Sequence, residues 1–298
     1  MKYFVKFTAA LMISTAFAAE TTPSLSTGDT HPTIDLSGYS LTFQDDFEGT
    51  SLDTTKWDAP TQERQNGSRW TSSLVSVQNG HLRLGVQLID RQNLHYDGGA
   101  VRTRRNYDKN QTMFSQKFGY FEARCKLPQH LDAEYFAHFW MMAGSVVEGK
   151  NTREGTEIDI LESFSIAEGK QYKLNFHWGG YGKTINYYGL KCGDHPTLRD
   201  GKFHDYGFLW TNTFYAVYID GHEIGRTNMI DLGSDKDGKI KSNGTCEEEG
   251  YLKLTIDTHA MTEKSANRSL NAPQQDEFLI DWIRAYLPKT YQIPTQTP

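Results

Sequence analysis

Asn79-Gly80-His81-Leu82-Arg83-Leu84-Gly85-Val86-Gln87-Leu88 carries the two signals from which the fold is read. Asn-Gly is a tight-turn dipeptide because both residues tolerate positive φ. Leu82, Leu84, Val86 and Leu88 then recur at every second position, so one face of an extended chain is apolar and the other polar. Phe121-Glu122-Ala123-Arg124-Cys125-Lys126-Leu127 alternates in the same way and places Cys125 on the apolar side. Tyr215-Ala216-Val217-Tyr218-Ile219 runs into Asp220-Gly221, and His222-Glu223-Ile224-Gly225 returns as a hairpin. Leu252–Ile256 and Phe278–Tyr286 read as further strands. Phe136–Met142 is almost wholly apolar, the expectation for a central strand covered on both faces. No long amphipathic helix is legible. Many short strands with dense turn chemistry predict an antiparallel β-sandwich.

One strand breaks the pattern. Glu157-Ile158-Asp159-Ile160-Leu161-Glu162 puts Glu157 and Asp159 on one face, but Glu162 falls on the other if the strand is regular. A one-residue β-bulge near Ile160-Leu161 restores the phase and lines up all three acids. Two carboxylates about 5–5.5 Å apart suit retaining glycoside hydrolysis, one attacking the anomeric carbon and the other protonating the leaving oxygen. Neighbouring negative charge and partial desolvation would keep one of them protonated near neutral pH. A solvated acidic strand edge or a calcium site would use the same residue types.

The flanking segments bear on that choice. The carboxylate strand, preceded by Gly155-Thr156, resembles the bulged motif of the laminarinase-like members of glycoside hydrolase family 16. Phe43–Gly49 with Leu52-Asp53 and Lys56-Trp57, Phe118–Arg124 with Lys126-Leu127-Pro128, and Phe139-Trp140-Met141-Met142 are similar to the family's other segments. So are His204 with Trp210, Asp220-Gly221 and Asp281–Tyr286, and the resemblance covers nearly all of the chain after its first segment. It implies a jelly-roll sandwich of two curved antiparallel sheets, concanavalin A-like, with substrate across one face.

Carried over by position, the resemblance implies Glu157 as nucleophile, Asp159 as assisting acid and Glu162 as general acid/base, with no cofactor for catalysis. It places His177 near the acid/base, and Trp140, Asn175, Trp178 and Trp70 are the other expected substrate contacts. By alternation Asn175 and His177 share one face and Phe176 and Trp178 the other, so Trp178 reaches a cleft only if the strand ends or twists before Gly179-Gly180. Trp57, Trp210 and Trp282 suit core or rim positions. A structural calcium ion, common among such relatives, would fall on Asp281 with backbone oxygens near Glu48 and Gly80. The expected substrate is an internally cleaved β-1,3- or mixed-linkage β-glucan. A galactan of the agarose or carrageenan kind is the alternative, for which Arg102, Arg104 and Arg105 are the one basic cluster. A noncatalytic β-glucan-binding protein on the same scaffold is the third reading, and the presence of all three acids weighs against it.

Composition agrees with a carbohydrate-active β-protein. Of 298 residues 13% are aromatic, rich in Tyr and Trp, which pair an apolar face with a polar tip. A net charge of −6 with both signs scattered excludes the basic stripe of a nucleic-acid binder. Lys2 and Lys6, the apolar run Phe7–Phe17 and the Ala16-Phe17-Ala18 pattern predict a signal peptide over 1–19. A flexible leader over 20–35, a catalytic domain over 36–288 and a polar tail over 289–298 follow. The expected product is a secreted or periplasmic monomer without a membrane span. In such a compartment Cys192 and Cys246, both in loop sequence, form the expected bridge. Sequons begin at Asn66, Asn110, Asn243 and Asn267.

Overall fold

The computed structural model describes residues 33–64, 67–105, 109–131, 133–143, 156–178, 186–228, 248–258 and 272–290. Residues 1–19, expected to be a signal peptide, Cys246, and the sequons at Asn66, Asn243 and Asn267 lie outside the described residues. Asn110 lies within them and is exposed.

The described strands are β1 (Tyr39–Asp45), β2 (Gln62–Glu63), β3 (Arg69–Trp70), β4 (Val75–Gln78), β5 (His81–Asp90), β6 (His95–Gly98), β7 (Ala100–Arg102), β8 (Gly119–Lys126) and β9 (Tyr135–Ala143). They continue as β10 (Thr156–Glu162), β11 (Lys173–Trp178), β12 (Asn186–Lys191), β13 (Phe203–Trp210), β14 (Phe214–Ile219), β15 (His222–Asn228), β16 (Gly250–Thr258) and β17 (Gln275–Pro288). The larger sheet runs β15-β14-β13-β8-β17-β5-β6-β3-β2, with β1 added on β17 and β4 on β5. The six-stranded sheet runs β12-β11-β10-β9-β16-β7. The chain is therefore an all-β jelly-roll sandwich.

Local chemistry sets the turns as the residue pattern predicts. Asn79 and Gly80 have φ of 55° and 74°, and Asp220 and Gly221 have 50° and 79°, the left-handed pairs that tight hairpins require. Between β6 and β7 the chain crosses from one sheet to the other through Gly98 and Gly99. A Cβ on Gly98 would stand 2.7 Å from the Ile256 side chain, and one on Gly99 2.7 Å from the Leu74 carbonyl. Only glycine permits that approach between layers.

Alternation sorts each strand between the layers. Leu82, Leu84, Val86 and Leu88 are buried, as are Phe121, Ala123 and Cys125. Cys125 is thus the expected core thiol, its pKa pushed up by burial. From the six-stranded sheet Phe176 meets Phe208 and Tyr215 of the larger sheet, stacking on Tyr215 at 4.6 Å. Ile158, Ile160, Leu161, Phe139 and Met141 join the same core, so it anchors the carboxylate strand from behind. On the far face of the larger sheet Tyr120, Leu209, Ala216 and Tyr218 make a smaller cluster beneath Ile34, Leu36 and Tyr39.

Candidate active site

The bulge falls where the three acids require it. Asp159 pairs with Trp140 and Leu161 with Phe139, so Ile160 is the extra residue, and Glu162 then lies opposite His138. On the other side Glu157 pairs with His177 and Asp159 with Asn175. Facing residues share a face, so Glu157, Asp159, Glu162, His138, Trp140, Asn175 and His177 gather on the face turned away from the core. An oxygen of Asp159 lies within 4.8 Å of one from Glu157, and an oxygen of Asp159 within 4.8 Å of one from Glu162.

The acids differ in environment. Glu157 is partly exposed. Asp159 is 2% exposed, yet its carboxyl sits below the usual range. Burial alone would raise it, and hydrogen bonds from His138 and His177 overcome burial. His138 Nε2 is 3.0 Å from Oδ1 and His177 Nε2 is 3.3 Å from Oδ2. Glu162 moves the other way, to about 7, chiefly through burial and next through the Asp159 charge; Glu157 adds to the rise. Asn175 Nδ2 donates to Glu162 Oε2, which holds that carboxyl in place and pulls its pKa down, though burial and the Asp159 charge outweigh it. The three acids on one strand thus sit in different surroundings: Glu157 partly open, Asp159 a hydrogen-bonded anion, and Glu162 an acid still half protonated near neutrality.

His177 binds Asp159 where the resemblance points to Glu162, and Asn175 takes the bond to Glu162. Trp140 reaches the acid face but is 3% exposed, stacked on His138 at 4.6 Å with Lys253 Nζ 3.5 Å from its ring. It forms the floor rather than an open platform. Two expected contacts are corrected. Trp178 pairs with Thr156 on the core side and is packed among the core residues, because the strand stays regular through residue 178. Trp70 is 1% exposed, its indole N–H donating to the Ile256 carbonyl and its ring covered by Arg64 at 3.9 Å.

The basic cluster also reads differently in place. Arg102 and Arg104 are buried, Arg102 bonded to Asp58 and Arg104 over the Tyr251 ring, while Arg105 turns to the Thr54 carbonyl. Asp281, one of the residues expected to hold calcium, has Oδ1 3.6 Å from His81 Nε2 and Oδ2 3.4 Å from Arg124 Nε. Glu48 and Gly80 do approach each other, the Glu48 carboxylate lying 3.6 Å from where a Gly80 Cβ would be.

Residue reading missed His138, Asp257 and Tyr187. Asp257 faces His138 Nδ1 at 3.5 Å. Tyr187, on the edge strand β12 opposite His177, is 50% exposed and donates to Asn175 Oδ1 at 2.8 Å. Among the described residues it is an exposed aromatic ring linked through Asn175 to Glu162, and such rings suit stacking on a sugar. The available signal was period two: Phe136, His138, Trp140 and Met142 share one face.

Residues 40–288 match the model of the glycoside hydrolase family 16 domain of β-porphyranases A–D. The chain is 25% identical to β-porphyranase D of Zobellia galactanivorans over 273 residues, 82% of this chain and 59% of that one. It is 26% identical to glucan endo-1,3-β-glucosidase A1 of Niallia circulans, over 62% of this chain and 29% of that one. The chain thus spans less than two thirds of the length of either relative. A family 16 endo-glucanase of Bacteroides ovatus has a TM-score of 0.63 at 20% identity, covering 82% of this chain and 99% of that one. A laminarinase domain of Thermotoga petrophila has 0.60 at 17%, covering 85% and 99%. Those likenesses carry the fold, and the family match extends over the bulged acid strand and both sheets: the chain belongs to glycoside hydrolase family 16.

Proposed function

We propose that the chain is a retaining endo-hydrolase of a β-linked polysaccharide. The observation that carries this reading is the opposed tuning of Asp159, held below the usual carboxylate range, and Glu162, raised to about 7, beside a partly exposed Glu157 on the same face of one strand. The Glu157 carboxylate attacks the anomeric carbon, the glycosidic C–O bond breaks, and the Glu162 proton passes to the leaving oxygen. Esterification removes the Glu157 charge, one of the charges that keep Glu162 protonated. Glu162 can then take a proton from water as the water attacks the same carbon and frees Glu157. Export, as Lys2, Lys6 and the apolar run after them indicate, would bring the enzyme to a polysaccharide outside the cytoplasm.

The first substrate reading is a β-1,3- or mixed-linkage β-glucan, supported by the glucanase relative and by the bulged, laminarinase-like motif. A second reading, a galactan of the porphyran or carrageenan kind, has its own support. The matching family model is that of porphyranases, and the chain is 26% identical over 201 residues to the κ-carrageenase of Pseudoalteromonas carrageenovora. Reducing-sugar release from laminarin, barley mixed-linkage glucan, porphyran, agarose and carrageenan, with Glu162→Ala as blank, separates them. Release from a glucan supports the first reading and release confined to a galactan the second. Binding without release from any of the five would overturn hydrolysis in favour of a binding protein.

A further inference from the structure

His138 sits on β9 between two carboxylates. Its Nε2 is 3.0 Å from Asp159 Oδ1, within hydrogen-bond reach, and its buried Nδ1 is 3.5 Å from Asp257 Oδ2, an ion-pair contact longer than a hydrogen bond. Asp257 is itself held as an acceptor: Arg64 donates to Oδ1 from Nη2 at 3.0 Å and from Nε at 3.3 Å, and Thr255 Oγ1 donates to Oδ2 at 2.5 Å. An imidazole facing an anion at each nitrogen meets both only when both nitrogens carry protons. Asp159 is engaged on both oxygens, by His138 and by His177, which leaves neither oxygen a ready place for its own proton. Among the described residues Glu162 on β10 also acts on the imidazole, Trp140 stacks on the ring at 4.6 Å with Phe136 at 5.6 Å, and Lys253 on β16, whose pKa burial pushes well down, lies over the Trp140 ring.

We propose that His138 and Asp257 are positioning residues for the hydrolysis: an imidazolium clamped by Asp257 holds Asp159 as a carboxylate, so that Asp159 neither takes the Glu162 proton nor donates one to Glu157. The proposal rests on the reading of Glu157 and Glu162 as the hydrolytic pair. Burial opposes charge on His138, but Asp159 and Asp257 outweigh it and lift its pKa to about 10. The fixed Asp159 charge remains when Glu157 is esterified, so Glu162 cycles between its two states without losing its proton to its neighbour.

Two measurements on the full chain test this. Nitrogen-15 NMR of the imidazoles, with His138→Gln identifying the signal, is expected to show His138 doubly protonated to about pH 8 or beyond. Asp257→Asn is expected to bring its titration down into the range about pH 5–8. His138→Gln keeps an amide donor for Asp159 but removes the charge that favours ionised Glu162. The alkaline limb of its kcat/KM profile is therefore expected to move up by roughly one pH unit. A neutral His138 at pH 7 in the wild type overturns the proposal, as does a fall in rate with the limb in its original place. Failure of hydrolysis itself would show as no release by the wild type, and the imidazole titration would still decide the clamp.

Discussion

Glu157→Gln is expected to lower kcat by roughly 10⁴-fold or more, because the amide removes the attacking oxygen anion while keeping the side chain's shape. Glu157 is partly exposed, and glutamine keeps the size and shape of its side chain. Folding should be close to wild type, and oligosaccharide affinity should survive, measurable by calorimetry on the inactive variant. Loss of turnover with affinity kept separates a nucleophile from a residue that only binds. Unchanged turnover would remove Glu157 from the mechanism.

Glu162→Gln is expected to cost roughly 10²–10⁴-fold in kcat on unactivated polysaccharide, the usual contribution of a positioned acid/base. The residual rate should lose the alkaline limb, which in the wild type falls near pH 7 as Glu162 ionises. Stability should move in the opposite direction. The carboxyl is raised in the fold from 4.5 to about 7. The folded chain therefore binds the proton more tightly than the unfolded chain, and this stabilisation is complete below about pH 4.5. It is lost as pH rises through about 7, an effect of about 3 kcal/mol by linkage. Gln never ionises, accepts the same Asn175 bond and avoids that loss. Denaturant unfolding should therefore find Glu162→Gln near wild type at about pH 4 and more stable than wild type at about pH 8. Equal stabilities at both would mean that Glu162 is not buried as described.

The bulge was legible because the strand contradicts itself without it: Ile158 and Ile160 must face the core, and only an extra residue lets Glu162 follow Asp159. The turns at Asn79-Gly80 and Asp220-Gly221 were legible because positive φ is a local property of those residue types. His138 was not, since a run from Phe136 to Met142 reads as core whether its second face meets a core or a charge network. Its partner Asp257 is far off in sequence and arrives only through the pairing of β9 with β16. The tryptophans show the limit of composition: Trp70 and Trp178 have the right chemistry for sugar, but alternation and tertiary cover bury both. Arg102 and Arg104 look like a surface cluster in sequence and become buried partners of Asp58 and Tyr251.

Retention of configuration is the central claim, and proton NMR of the first reducing ends released from whichever polysaccharide is cleaved tests it most directly. A covalent intermediate on Glu157 gives two inversions at the anomeric carbon, so the new reducing end should appear first as the β anomer and reach the α/β mixture only by mutarotation. An α anomer as the first product would mean direct displacement by water, and would contradict Glu157 as nucleophile.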